Sequence, residues 1–593
     1  MSKTLFKQIN YPLSNLIQDI DMGEIGLPDI QRPFVWEAAK VRDLFDSMYR
    51  GFPVGYFLFW SNDHLTGLNS SNTRQIGLES KQVKVPRLLI VDGQQRLTSL
   101  YSVIKGHYVL TKDFKQVKIQ IAFRPTDSTF AVTDAAIQKD PEYIPNISEL
   151  WSTSTDIFEL VDSFLERLRE TREVKSEERT KIKKAISDLK GVEHYSFTVM
   201  EIASHVEENQ VSEIFVRINS KGVTLKQADF ILTLLSVFWD EGRRQLEQFC
   251  RECRVPSSSS APSPFNYFIH PDPDQILRVC VGLAFKRARL QYVYSILRGK
   301  DLETGEFSDD RRLAQFDELK VAQTKTLDLT NWHEFLKALM QAGFLSGYMI
   351  TSDIGLLYAY VMFLIGKYQF NIKLSHLRNV TARWFFMTAI TGRYSNSPES
   401  VMESDLARLR SLKDGKEFIS SLDNVIKNTL TEDYWNITLV NELETSSART
   451  PVLFAYYAAL NLLGANALFS KLKVQQLLDP AIKSKKSGVE RHHLFPKAYL
   501  KTLGITEVRQ TNQIANYALV EWSENITISD KAPADYFPEY RKLYKDNPAE
   551  LELLMQWHAL PDGWDKMEYG EFLGRRRILI AGVIRKGVEK LFG

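Results

Sequence analysis

The stretch PSSSSAPSP at positions 256–264 constrains this chain more than any other segment. Its prolines lack backbone donors and its serines favour turns, so neither a helix interior nor a central strand can run through it. It marks a domain boundary or a long exposed loop. Upstream of it, helical and strand patterns alternate. Leu13, Leu16, Ile17 and Ile20 recur at helical spacing, as do Val41, Leu44, Phe45 and Met48. VGYFLFW (54–60), RLLIVDG (87–93), KIQIAF (118–123) and FTVMEI (197–202) read as strands, and the charged segment 156–190 reads as helix. Two more helices are expected through SEIFVRI and LKQADFILTLLSVFW. Downstream, residues 265–480 are nearly all helical in pattern, with Leu, Phe, Tyr and Trp stripes that suit helix packing. After 488 the texture turns to short strands, turns and polar residues. The expected class is α+β, mostly helical, with parts at 1–255, 265–430 and 431–593.

At 593 residues the chain exceeds the roughly 250–300 at which one core stops growing, so more than one domain is required. Three cysteines, Cys250, Cys253 and Cys280, cannot staple a chain of this size, which points to a reducing cytoplasm. Cys250 and Cys253 have CxxC spacing without a second pair to complete a zinc site, so a structural role is expected. The start, MSKTLFKQINYPL, lacks an apolar signal core. IGLLYAYVMFLIG (354–366) falls short of the roughly 20 residues that span a bilayer, so a buried helix is expected and no membrane association. The net charge of +2 says little; the placement of basic residues says more. Three clusters stand out: Lys181, Lys183 and Lys184; Lys483, Lys485 and Lys486; and Arg575, Arg576 and Arg577. The first reads as a solvated helix face. The second lies just ahead of His492, where a phosphate backbone would pass.

The segment ERHHLFPKAYL (490–500) sets two adjacent histidines before an apolar pair and a proline, and NYALVEWSENITISDKAP (516–533) follows. Asn516 lies 23 residues after His493, and Asn525 lies 9 further on. Phosphodiester cleavage needs a base to activate water, a cation to neutralise phosphate, and ligands to hold that cation. A neutral imidazole can accept a proton, and side-chain amide oxygens suit a hard divalent metal. Leu519 and Trp522 flank a strand-like stretch, and Ser523 is placed to cap a helix at whose start Asn525 would sit. This arrangement resembles the His-Asn-His (ββα-metal, HNH) nuclease motif. The resemblance implies that His493 is the general base, His492 the first metal ligand, Asn516 the residue that ties the loop together, and Asn525 the second metal ligand. His492 stands where many such motifs carry Asp or Glu. The expected cation is Mg²⁺ or Mn²⁺, and a nitrogen ligand also tolerates Ni²⁺ or Zn²⁺. Glu490 and Asp530 are additional candidate carboxylates.

Near the N-terminus, LLIVDGQQRLTSLY (88–101) combines a buried strand, a sharp turn at Asp92 and Gly93, and a helix opening with Gln94, Gln95 and Arg96. Backbone amides at a helix start attract anions, and an arginine there can grip phosphate. DIQRPFVW (29–36) adds Gln31, Arg32 and Trp36; IFVRINSKGVTL (214–225) adds Arg217 and Asn219, with Gly222 in a turn. No Walker-type loop is present, so a P-loop ATPase is not supported.

Together these segments resemble the ParB-like DGQQR domain of the GmrSD family, modification-dependent type IV restriction enzymes, and their order is that of a fused GmrS–GmrD chain. The resemblance covers about 1–240 and about 430–560. It implies an N-terminal ParB-like α/β nucleotide-binding and sensor domain, a helical middle, and a C-terminal HNH nuclease domain. Asp92, Gly93, Gln94, Gln95 and Arg96 would bind or hydrolyse a nucleoside triphosphate (GTP, ATP, CTP or UTP). Arg32 and Arg217 would contact its phosphates, with Asn219 in support and Gln31 also in the nucleotide site. The implied partner is double-stranded phage DNA carrying hydroxymethyl- or glucosyl-cytosine; a homodimer would help make double-strand breaks, because one such site cuts one strand at a time. The alternatives are a phosphorothioate-sensing nicking nuclease of the SspE type, a nucleotide-gated RNA-cleaving toxin, and a nucleotide-gated sensor with a degenerate nuclease domain.

Overall fold

The computed structural model describes the chain except residues 1–4, 29–35, 62–72, 75–85, 112–114, 153–154, most of 205–238, 259, 298, 301–303, 305, 307, 482–489, 522–523, 525 and 527. Two compact units emerge, Met1–Arg244 and Gln245–Gly593.

The first unit is built on a six-stranded mixed sheet in the order β1-β10-β3-β5-β2-β4. Its strands are β1 (Phe6–Pro12), β2 (Ile25–Pro28), β3 (Tyr56–Ser61), β4 (Thr73–Arg74), β5 (Leu88–Asp92) and β10 (Ser196–Ile202). β3 and β5 are apolar without alternation because both of their faces are covered. Phe57, Phe59, Leu88 and Ile90 join the large core with helices α1 (Leu13–Asp21), α2 (Ala38–Tyr49) and α3 (Gln94–Lys105). Leu58, Trp60, Leu89 and Val91 point to a second core with Ile202, Val206 and Val211. The apolar stripes of α1 and α2 are the four residues each that their spacing singles out.

KIQIAF divides between two small ladders. β7 (Gln116–Lys118) pairs with β6 (Tyr108–Leu110), and β8 (Ile121–Arg124) pairs with β9 (Thr129–Val132). The segment 156–190 is likewise two helices, α4 (Ile157–Thr171) and α5 (Ser176–Lys190). Arg172 sits between them and clamps Glu142 and Glu178 at 2.6 and 2.5 Å. Lys181, Lys183 and Lys184 are exposed on α5, a solvated face. The helices expected through SEIFVRI and LKQADFILTLLSVFW fall largely outside the described residues.

The second unit is predominantly helical. PSSSSAPSP lies within it as irregular chain, and the Pro264 carbonyl accepts a bond from the buried Trp332 indole at 3.0 Å. The Asp353–Tyr368 helix is buried continuously from Gly355 to Gly366, which is why its sequence is apolar all round. No described helix is long and apolar enough to cross a membrane. Cys250, Cys253 and Cys280 are free and buried, and desolvation raises all three thiols. The Tyr569–Glu589 helix packs on the Pro451–Leu463 helix where Gly587 lies so near Ala459 that an added Cβ would meet it at 2.6 Å. The turn Ile514–Asn516 packs on the Tyr569–Glu589 helix and leads into β12 (Tyr517–Val520), which pairs with β11 (Glu490–His493) in a two-stranded ribbon.

Candidate active site

Both histidines sit on β11, in register with β12: His492 faces Ala518 and His493 faces Tyr517. Neighbouring strand residues leave on opposite sides, so the two imidazoles occupy different faces of the ribbon. His493 is half-buried, its ring edge-on to Tyr517 at 4.9 Å, with Nε2 3.0 Å from Asn512 Oδ1. His492 is only 3% exposed and packs edge-on to Tyr536 at 6.2 Å. The Tyr536 hydroxyl donates to the Leu494 carbonyl at 2.7 Å, holding the chain just past the histidines.

Asn516 is fully buried and ties the turn after β11 to the entry of β12. Its Oδ1 accepts from Phe495 N at 2.8 Å, and its Nδ2 donates to the Phe495 and Thr511 carbonyls, each at 3.1 Å. Its own carbonyl accepts from Leu494 N at 2.9 Å. With the amide directed wholly at backbone, Asn516 positions the motif and does not itself point at a ligand. Phe495 anchors the same turn against Tyr569, Phe572 and Trp564. Positions 524, 526 and 528 after β12 are helical. Asn525, Trp522 and Ser523 lie outside the described residues, as does the lysine cluster at 483, 485 and 486.

Among the described residues no group of three His, Cys, Asp or Glu side chains could hold a metal ion. The carboxylates of Glu521 and Glu524 are engaged by Ser470 and Tyr540. His492, buried beside Tyr536, is the candidate metal donor within the described residues, and Asn525 lies outside them.

The three arginines at 575–577 do not form one basic face, because successive helix residues project about 100° apart. Arg575 pairs with Glu571 at 2.6 Å, and Arg577 bonds Glu444 and Gln513. Arg576 is completely buried: it donates to the Ala515 carbonyl at 2.7 Å and to the His558 carbonyl through two nitrogens. The His558 ring contacts the Asn466 carbonyl at 2.9 Å, and burial lowers its pKa to about 4. Spacing alone points to none of Asn512, Tyr536, Tyr569 or Arg576; the polar composition of 510–513 is the only local signal.

In the first unit, Gly93 stands at φ +95° between β5 and α3, where an added Cβ would meet the Phe57 ring at 2.4 Å. Asp92, Gln94 and Gln95 are half-buried at this turn. Arg96, expected as a phosphate grip, lies in the first turn of α3. Its guanidinium donates to the carbonyls of Val54 and Tyr56 at 2.6 and 2.7 Å and lies over the Phe57 ring, 3.8 Å from Asp92. Gly55, at φ +87°, leaves room for the guanidinium, and the chain entering β3 offers the carbonyls of Val54 and Tyr56. Arg96 therefore locks the turn to the sheet. Gln31, Arg32, Arg217 and Asn219 lie outside the described residues.

Comparison with known proteins returns two relationships. Residues 13–236 match the family described as GmrSD restriction endonuclease, N-terminal domain. An uncharacterized protein of Methanocaldococcus jannaschii is similar along most of its length, 21% identical over 565 residues, covering 90% of this chain and 87% of the relative.

Proposed function

From an N-terminal domain that belongs to the GmrSD restriction endonuclease family, we propose that this chain is a metal-dependent endonuclease that cleaves modified phage DNA under nucleotide control. The observation that carries the cutting role is the Asn516 staple, which holds the His492–His493 strand end and the 510–516 segment in one fixed frame.

In this reading His493 is the general base. An Asn512 oxygen that accepts from Nε2 leaves Nδ1 as the lone-pair nitrogen, able to take a proton from water. The water oxygen then forms a bond to phosphorus, and the bond to the leaving sugar oxygen breaks, with solvent supplying that oxygen's proton. His492 and Asn525 would hold a divalent cation, Mg²⁺ or Mn²⁺ or, given the nitrogen ligand, Ni²⁺ or Zn²⁺, whose charge would offset that of the phosphate. The turn from Asp92 to Gln95 would meet a nucleoside triphosphate through backbone amides at the α3 N-terminus, with Arg32 and Arg217 as phosphate contacts. Hydroxymethyl- or glucosyl-cytosine is the proposed mark, and phosphorothioate the alternative.

The test compares unmodified, hydroxymethylated, glucosylated and phosphorothioated DNA and matched RNA, each with and without NTP and EDTA. Cleavage of modified DNA that EDTA abolishes, and that His493→Ala lowers at least about 10²-fold, is the expected result. Wild-type cutting by His493→Ala would refute the assignment. Cutting of RNA in preference to DNA would make the protein an RNase. Cutting that ignored both mark and nucleotide would remove the restriction role.

A further inference from the structure

Asn512 ends the short Val508–Thr511 helix, its backbone N–H bonded to the Val508 carbonyl at 3.0 Å. Its side chain leaves that turn to reach His493, 19 residues earlier, with Oδ1 3.0 Å from Nε2. An amide oxygen only accepts, so this contact requires the proton on Nε2. The segment that carries Asn512 is tied at almost every residue. Tyr569 Oη donates to the Gln510 carbonyl at 2.8 Å, and Asn516 Nδ2 to that of Thr511. Arg577 donates to Gln513 Oε1, Ile514 N bonds the Thr445 carbonyl at 2.9 Å, and the buried Arg576 grips the Ala515 carbonyl. A turn with no further task would not need a fully buried guanidinium to hold it, since burying that charge is costly. The bonds from Tyr569, Arg576 and Arg577 brace this turn against the Tyr569–Glu589 helix, and Asn512 is the side chain through which the braced turn reaches His493.

We propose that Asn512 is a positioning residue for His493, setting the ring plane and the tautomer so that Nδ1 is the basic nitrogen. A ring nitrogen facing an acceptor carries the proton, so the acceptor at position 512 determines which nitrogen keeps its lone pair. This inference rests on His493 being the base, and its test has a readout that does not need cleavage.

Full-length protein with ¹⁵N-labelled histidine is prepared as wild type, Asn512→Leu and Asn512→Asp, with His493→Gln to identify the resonances. Two-bond ring correlations should show the wild-type His493 ring as one tautomer with the proton on Nε2. Asn512→Asp keeps an acceptor at the same place and should keep that pattern; Asn512→Leu should shift it toward an average of both tautomers. On DNA, Asn512→Leu should lower kcat about 10²-fold with KM within about twofold, and Asn512→Asp should recover kcat to within about tenfold of wild type. If Asn512→Leu does not fold, Asn512→Ala replaces it with the same readouts. A wild-type ring protonated on Nδ1, a ring spectrum unchanged by Asn512→Leu, or equal loss of kcat in the leucine and aspartate variants would overturn the proposal. A wild-type protein that cuts nothing while its ring spectra follow this pattern would sink the nuclease reading and leave the Asn512 contact standing.

Discussion

Replacing Asn516 by leucine removes three bonds from a site with no access to water. The side chain is fully buried and joins Phe495 N, the Phe495 carbonyl and the Thr511 carbonyl at 2.8, 3.1 and 3.1 Å. Leucine has nearly the same volume, so the loss is polar and not a cavity. Each bond contributes about 1 kcal/mol net, and a buried N–H left without a partner costs about 1–3 kcal/mol, so Asn516→Leu should destabilise this motif by about 3–5 kcal/mol. Because the chain has two units, a single global unfolding free energy is not the right readout. Hydrogen exchange followed peptide by peptide is: the Phe495 amide should lose about 10²-fold or more of its protection, since each 1.4 kcal/mol is tenfold, while peptides of the Met1–Arg244 unit stay unchanged. Asn516→Asp sharpens the point. Its carboxylate can still accept from Phe495 N, but the second oxygen would face two carbonyls, so burial and repulsion would hold its folded pKa above the unfolded value. Stability of that variant should be highest at low pH and should fall as pH rises through the folded pKa. Unchanged exchange at Phe495 in Asn516→Leu would refute the claim that this amide is what holds the turn.

Other expectations follow from the same geometry. Arg96→Lys cannot reach the Val54 and Tyr56 carbonyls together, so protection of Leu88–Asp92 and Gln94–Lys105 against hydrogen exchange should fall by about 2 kcal/mol; no change would mean the guanidinium is not the lock. His558 is buried neutral, with its folded pKa lowered to about 4 from 6.5. Its contribution is fully present above about 6.5 and is lost as pH falls toward about 4, about 3 kcal/mol over that window. Acid unfolding of the Gln245–Gly593 unit should show that slope, and His558→Gln should flatten it.

Local spacing in the sequence determined much of this molecule. Hydrophobic period marks α1, α2 and β10, and unbroken apolar runs mark β3 and β5, because which faces are buried sets the pattern. Gly93 between an apolar strand and a polar helix start marks the β5–α3 turn, because positive φ is a local demand. The buried helix at 353–368 follows from its all-round apolarity. What period cannot encode is the partner of a long polar side chain. Arg96 reads as a phosphate contact from its place at a helix start, and spacing gives no sign of the Val54 and Tyr56 carbonyls that its guanidinium meets. Arg576 looks like one of three surface arginines until the fold closes the Ala515 carbonyl over it from 61 residues away. KIQIAF reads as one strand because its alternation is continuous, and it splits only because β6 and β9 offer different edges to its two ends. The adjacent histidines are legible in the sequence; the contact of His493 with Asn512 is not, since a hydrogen bond between distant segments leaves no trace in the spacing of either.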